Sequence, residues 1–136
     1  MLPNFRNQTR YAFTLSDMSG KTRKTPLTPK NLRSKTMQVL RRQWLYHWKP
    51  RKDALKNQLT YRANYVCQSC SRVYHKSNTF VDHITPVVPD QGWDNWDGYM
   101  ERLYCDKEGY QVLCKVCHTK KTADENRKRK LLSTNG

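Results

Sequence analysis

Three stretches decide how this chain reads: Cys67-Gln68-Ser69-Cys70, then Phe80-Val81-Asp82-His83-Ile84-Thr85-Pro86, then Cys114-Lys115-Val116-Cys117-His118. Each C-x-x-C pair sets two thiols about one turn apart, and two such pairs supply the four sulfurs of a tetrahedral metal shell. Cys67, Cys70, Cys114 and Cys117 are therefore read as a structural zinc site, with Cys105 left over as a small, buried, apolar residue. Disulfides and redox chemistry are the other uses of paired cysteines, and iron–sulfur clusters accept the same spacing. Four sulfurs leave zinc no open position, so this ion is scaffolding and any catalysis lies beside it.

The middle stretch supplies that chemistry. Asp82 and His83 sit between the knuckles, and His118 follows Cys117 directly. A shared metal would bring all three together. Hydrolysis of a phosphodiester needs a divalent cation to neutralise charge and a base of near-neutral pKa to activate water. Asp82 and His118 fit the first need and His83 the second. Neighbours on a regular strand face opposite sides, so the strand is expected to end or turn irregular at Asp82-His83, with Pro86 close behind. The structural alternative makes Asp82 and His83 a paired couple and His118 a helix cap.

Composition supports a polyanionic partner. The chain of 136 residues carries 26 Lys and Arg against 11 Asp and Glu, a formal charge of +15. Nucleic acid or an acidic surface suits that excess. Hydrophobic residues make up only 36%, so a small core needs a staple such as a metal. No apolar run reaches bilayer length. Met1-Leu2-Pro3-Asn4-Phe5-Arg6 has no apolar signal stretch, so a reducing cytoplasm, without membrane partners, is the expected location.

Outward from the motifs, residues 1–28 read as an irregular basic arm that either tracks DNA or forms a solvated tail. Asn4, Asn7, Ser16, Ser19, Gly20 and Pro26 break any period, and Lys21-Thr22-Arg23-Lys24 is basic. Residues 29–60 read as a basic helical extension. Thr28-Pro29 opens a helix with Leu32, Met37, Leu40, Trp44, Leu45 and Trp48 on one stripe. That stripe is either core or a base-stacking face. Pro50 ends or kinks it, and a second helix is expected from Arg51 to about Asn64, with Ala54, Leu55, Leu59 and Tyr61 inward. Val73-Tyr74 and Thr79-Phe80-Val81 read as β, and 87–95 as loop. Trp93, Trp96, Tyr99, Met100, Leu103 and Tyr104 follow helical spacing. Tyr110 to Leu113 reads as a strand, Lys115 to about Leu131 as a helix, and 132–136 as a tail.

The motifs resemble those of the HNH, or ββα-metal, endonucleases. The resemblance covers residues 61 to about 126. It rests on Cys67-x-x-Cys70, Val81-Asp82-His83-Ile84, Gln111-Val112-Leu113-Cys114 and Cys117-His118-Thr119-Lys120-Lys121-Thr122. It implies an α+β fold: a small ββα-metal (His-Me finger) core over 61–131 with a four-cysteine zinc site, two antiparallel strands packing on one helix. It implies His83 as general base, and Asp82 and His118 as ligands of catalytic Mg²⁺, Mn²⁺ or Ni²⁺. Cleavage of double-stranded DNA would leave 3′-hydroxyl and 5′-phosphate ends. Lys120, Lys121, Arg127, Lys128, Arg41 and Arg42 are the expected DNA contacts. Many relatives carry Asn where Gly109 stands, and there it orders the loop bearing the base; Asn95 and Asn78 are candidates to replace it. The stretch from Trp93 to Cys105 looks like HNH proteins of tailed phages, often encoded beside the terminase, which implies action at DNA packaging with terminase subunits as partners. The alternatives are a zinc-stabilised DNA-binding module without catalysis, and an RNA-binding zinc protein.

Overall fold

The computed structural model describes residues 27–135. The arm expected over 1–28 lies, up to Pro26, outside the described residues. The fold is mixed α+β, with four helices and two small antiparallel sheets among the described residues. The elements are α1 (Pro29–His47), α2 (Lys49–Asn57), β1 (Asn64–Val66), β2 (Val73–His75), β3 (Thr79–His83), α3 (Trp96–Leu103), β4 (Tyr110–Cys114) and α4 (Lys115–Thr134). No helix among the described residues is long and apolar enough to cross a membrane.

The described residues fall into two units that divide between Thr36 and Met37. In the first, Thr28 opens α1 as expected: its hydroxyl accepts the Asn31 N–H at 3.2 Å. Everything relevant to the site lies in the second. Trp44 of α1 and Ala54 of α2 share one core with Val81, Val87, Tyr99, Leu103, Tyr110 and Val112. Tyr99, Leu103 and Val112 are fully buried, each worth about 1.5–3 kcal/mol of transfer free energy. Most of the Trp stripe is thus core: Trp44 is buried, Met37 and Leu40 pack against the same cluster, and Trp48 donates Nε1–H to the Cys105 carbonyl at 3.0 Å, whereas Leu32 and Leu45 are exposed.

The break near Pro50 is as expected, with α1 ending at His47, but the second helix departs from its expected bounds. Pro50 starts α2, filling its first turn where no N–H is needed. The helix stops at Asn57, well short of Asn64. The Gln58 and Leu59 N–H groups tighten onto the Leu55 and Lys56 carbonyls, both at 3.0 Å. Arg62 and Ala63 then take positive φ (45° and 60°), which reverses the chain into β1. Leu59 and Tyr61 are exposed rather than inward. At the other end α4 runs to Thr134, so most of the expected tail is its last turn.

In the second sheet β3 and β4 pair antiparallel, with Thr79 opposite Cys114, Val81 opposite Val112 and His83 opposite Tyr110. The first knuckle closes β4's outer edge. The Gln68 N–H donates to the Val112 carbonyl (2.8 Å), and Gln68 Oε1 accepts the Val112 N–H (2.7 Å). Among the described residues, the edge of β3 away from β4 has no strand partner.

Candidate metal centre and cleft

The four cysteines meet in one place. Sγ atoms of Cys67, Cys70, Cys114 and Cys117 all lie within 4.8 Å of one another. A tetrahedral shell with metal–sulfur bonds of about 2.3 Å puts its sulfurs about 3.8 Å apart, so this cluster could hold a metal ion such as zinc. Cys67 and Cys114 are buried, whereas Cys70 is exposed. Burial pushes the Cys67 thiol up, but backbone N–H groups of Cys70, Cys114 and Ser69 outweigh it, and the net shift is downward. That favours the thiolate a metal requires. Ser71 takes a φ of 60° to close the first knuckle, and its N–H bonds the Cys67 carbonyl at 2.8 Å. Cys114 caps α4, its sulfur accepting the Cys117 N–H at 3.5 Å. His118 is thereby fixed in the helix's first turn.

Beside the cysteines a cleft of about 360 Å³ runs along β3's free edge, with Arg41 and Trp44 of α1 on one side and His118, Lys121, Thr122 and Glu125 of α4 on the other. Asp82, His83 and His118 all line it. The strand ends at His83, one of the two outcomes expected, and is regular up to that end. The alternation of its side chains is satisfied differently. His83 shares the core face with buried Val81, while Asp82 lies with Phe80 toward α4. Because β3 is an edge strand, one cleft draws on both its faces.

Each side chain has a distinct setting. His83 stacks on Trp44 (ring centroids 4.7 Å apart, planes at 28°) and meets Tyr110 edge-on at 5.0 Å. Its Nε2 is 3.0 Å from the Leu103 carbonyl. A carbonyl only accepts, so Nε2 carries the proton and Nδ1 is the ring's basic atom. Leu103 ends α3, so its carbonyl is one of the helix's unpaired C-terminal acceptors. It also accepts the Tyr110 hydroxyl at 2.8 Å, which in turn accepts Trp44 Nε1–H at 2.9 Å. Burial lowers the His83 pKa below its ordinary 6.5, outweighing the opposite pull of the Leu103 carbonyl and Asp82. The ring is therefore neutral at pH 7.

Asp82 is divided between its two oxygens. Oδ2 takes Lys121 Nζ at 2.8 Å and Gln111 Nε2 at 3.3 Å. Oδ1 lies 4.0 Å from His118 Nε2. His118 stacks on Phe80 at 5.0 Å with planes 18° apart. Lys121 also bonds the His83 carbonyl (2.9 Å) and Glu125. Its three protons are thus committed within the cleft, so it is not the free phosphate contact expected from sequence. Lys120, Lys128 and Arg42 are exposed. Arg127 is exposed beside Asp124 (3.4 Å), and Arg41 lines the cleft with Nε 3.4 Å from the Tyr99 hydroxyl.

The Asn candidates stand elsewhere. Asn95 caps α3, accepting the Gly98 N–H at 2.7 Å, and Asn78 is exposed ahead of β3. The loop after His83 is instead held by Gly109 itself, whose carbonyl accepts the Ile84 N–H at 2.9 Å. A Cβ on Gly109 would come within 2.5 Å of Cys105 Sγ. Gly109→Ala is therefore expected to lower stability by about 1–3 kcal/mol through overpacking, seen as a drop in Tm by thermal melting. An unchanged Tm would contradict the close approach. Sequence reading missed Trp44, Leu103, Gln68 and Gln111 as site residues. Lys121 and Glu125 did carry a signal, being three and seven residues after His118 on one helix face.

Comparison of the chain with family models, with curated proteins and with solved structures finds no match.

Proposed function

We propose that this protein is a metal-dependent DNA endonuclease of the HNH type, with zinc on the four cysteines as its scaffold. One observation carries the reading: a carboxylate and two imidazoles, Asp82, His83 and His118, share one cleft beside the cysteine cluster. Each has a setting suited to a different task. Two ligands of one small divalent ion, each about 2.1 Å from it, lie at most about 4.2 Å apart. The Asp82 Oδ1 to His118 Nε2 separation of 4.0 Å fits that limit. An oxygen and an imidazole nitrogen suit Mg²⁺, Mn²⁺ or Ni²⁺ with open positions left for water and phosphate. A divalent ion held there supplies charge neutralisation at the scissile phosphate and the leaving oxygen.

The chain's own residues do the rest. His83 Nδ1 accepts the proton of the attacking water. Imidazolium formation is supported by the Leu103 carbonyl on Nε2–H, which keeps the ring in one tautomer. Hydroxide adds to phosphorus, the P–O3′ bond breaks, and O3′ leaves to take a proton from solvent. The products carry 3′-hydroxyl and 5′-phosphate ends. Trp44 shields one face of the base and fixes its plane. Arg41 at the cleft, with exposed Arg42, Lys120, Arg127 and Lys128, would meet the phosphate backbone. Action at phage DNA packaging, with terminase subunits as partners, is a narrower proposal that rests on the resemblance of the Trp93–Cys105 stretch.

A pH profile follows from His83. Its pKa in the folded state is depressed, so the base stays deprotonated until the pH falls below the ordinary 6.5. The acid limb of kcat/KM is expected below pH 6.5. A limb centred above 6.5 would contradict the buried neutral base. The same shift destabilises the fold as pH falls through that window, because the unfolded chain binds the proton more tightly.

The rival reading, a zinc-stabilised DNA-binding module, is favoured by one feature: Lys121 already gives Asp82 a structural partner. End-group analysis on a defined duplex with Mn²⁺ separates the two. The nuclease reading expects fragments that accept a 5′ label only after phosphatase treatment. Binding without fragments, or fragments ending in 3′-phosphate, would overturn it.

A further inference from the structure

The ammonium of Lys121 is unusual in its company. It touches the carboxylate read as an ion ligand, the main-chain carbonyl of the residue read as the base, and a second carboxylate one helical turn on. Lys121, Asp82 and Glu125 are each largely covered, with about a fifth of each side chain exposed, so solvent screens their charges incompletely. Gln111 holds the same oxygen, Oδ2, from β4. The other oxygen, Oδ1, is the one turned to His118.

We propose that Lys121 is a built-in cation that shares Asp82 with the exchangeable divalent ion: it occupies Oδ2, leaves Oδ1 for the ion, and keeps ion binding weak. The inference rests on the ion site proposed above. An ion on Oδ1 and the ammonium on Oδ2 sit on opposite oxygens of one carboxylate and repel each other. Occupying Oδ2 also keeps Asp82 from clasping the ion with both oxygens, so the ion retains open positions for water and phosphate. Glu125 offsets part of the repulsion and keeps the ammonium in place. The bond from Lys121 to the His83 carbonyl ties the base-bearing end of β3 to the helix that carries His118, so ligand and base move as one body.

This assigns opposite effects to two neighbouring residues. Lys121→Met removes the charge at similar length, and Gln111 still orients Asp82. Glu125→Gln removes the offsetting charge and leaves the ammonium. The test is calorimetric titration of Mn²⁺ into zinc-loaded protein without DNA, with zinc content and Tm measured on each variant. Lys121→Met is expected to lower the Mn²⁺ Kd roughly tenfold or more, Glu125→Gln to raise it roughly threefold or more, and Lys121→Arg to stay within about threefold of wild type. A Kd that is unchanged or higher in Lys121→Met, with zinc and Tm retained, would overturn the inference. So would a Kd unchanged or lower in Glu125→Gln, which also decides the matter should Lys121→Met fail to fold. His118→Ala in the same titration tests the ion site itself: it is expected to abolish Mn²⁺ binding. Binding that survives there would overturn the site and the inference together.

Discussion

His83→Ala is expected to reduce the DNA cleavage rate by about 10²–10⁴-fold, the usual contribution of a general base, with DNA affinity unchanged. The proposed base atom is Nδ1, since Nε2–H is engaged by the Leu103 carbonyl. Alanine leaves no group in that place to take a proton from water. The substitution also removes the face that Trp44 stacks on, so some stability is lost. The ring is only half-buried, however, and the network from Trp44 through Tyr110 to Leu103 survives without it. The comparison is made at matched DNA occupancy and below the melting range. Cleavage by His83→Ala at the wild-type rate would remove the proposed base.

The second large effect concerns the cysteines. Cys67→Ser or Cys114→Ser, or chelation of the metal, is expected to unfold the β1–β2 hairpin and the start of α4. The apolar cluster around the site contains only Cys67, Leu113 and Cys114, with Tyr74 and Cys117 packed against it. Three of those five belong to the cysteine cluster, so little packing would remain without an ion held there. Structural zinc in such sites is worth about 10–16 kcal/mol in apparent binding free energy. A domain's whole stability is about 5–15 kcal/mol, so a zinc ion held there would decide whether this part folds. Melting followed by circular dichroism, with zinc quantified per chain, reads the effect. A metal-free protein with an unchanged Tm would contradict it. His118 rides on the same turn as Cys117, so losing the scaffold should also disable the cleft.

Much of this was legible where sequence chemistry is local. The two C-x-x-C pairs foretold their own meeting, Thr28-Pro29 marked the start of α1, and the near-helical spacing from Trp93 to Tyr104 marked α3, which runs from Trp96 to Leu103. Legibility failed at the turn after α2. Arg62 and Ala63 hold the left-handed conformation that Gly or Asn usually announces, and the good helix formers before them extended the helical reading too far. β1 has three half-buried residues and no alternation to detect. In the cleft, Asp82, His83 and His118 could be named from the motifs, because their residue types carry the chemistry. Trp44 and Leu103 could not, because their roles depend on tertiary placement: one offers a ring face, the other a helix-end carbonyl. The worry that adjacent Asp82 and His83 must diverge assumed a site on one face of a sheet, and a cleft around an edge strand removes it.

The most direct test is cleavage of supercoiled plasmid by zinc-loaded wild-type protein, before and after adding Mn²⁺. The account predicts that the plasmid stays supercoiled without the added ion and is converted to open-circular or linear forms with it. Plasmid that is bound yet remains supercoiled with Mn²⁺, Mg²⁺ and Ni²⁺ alike would contradict it.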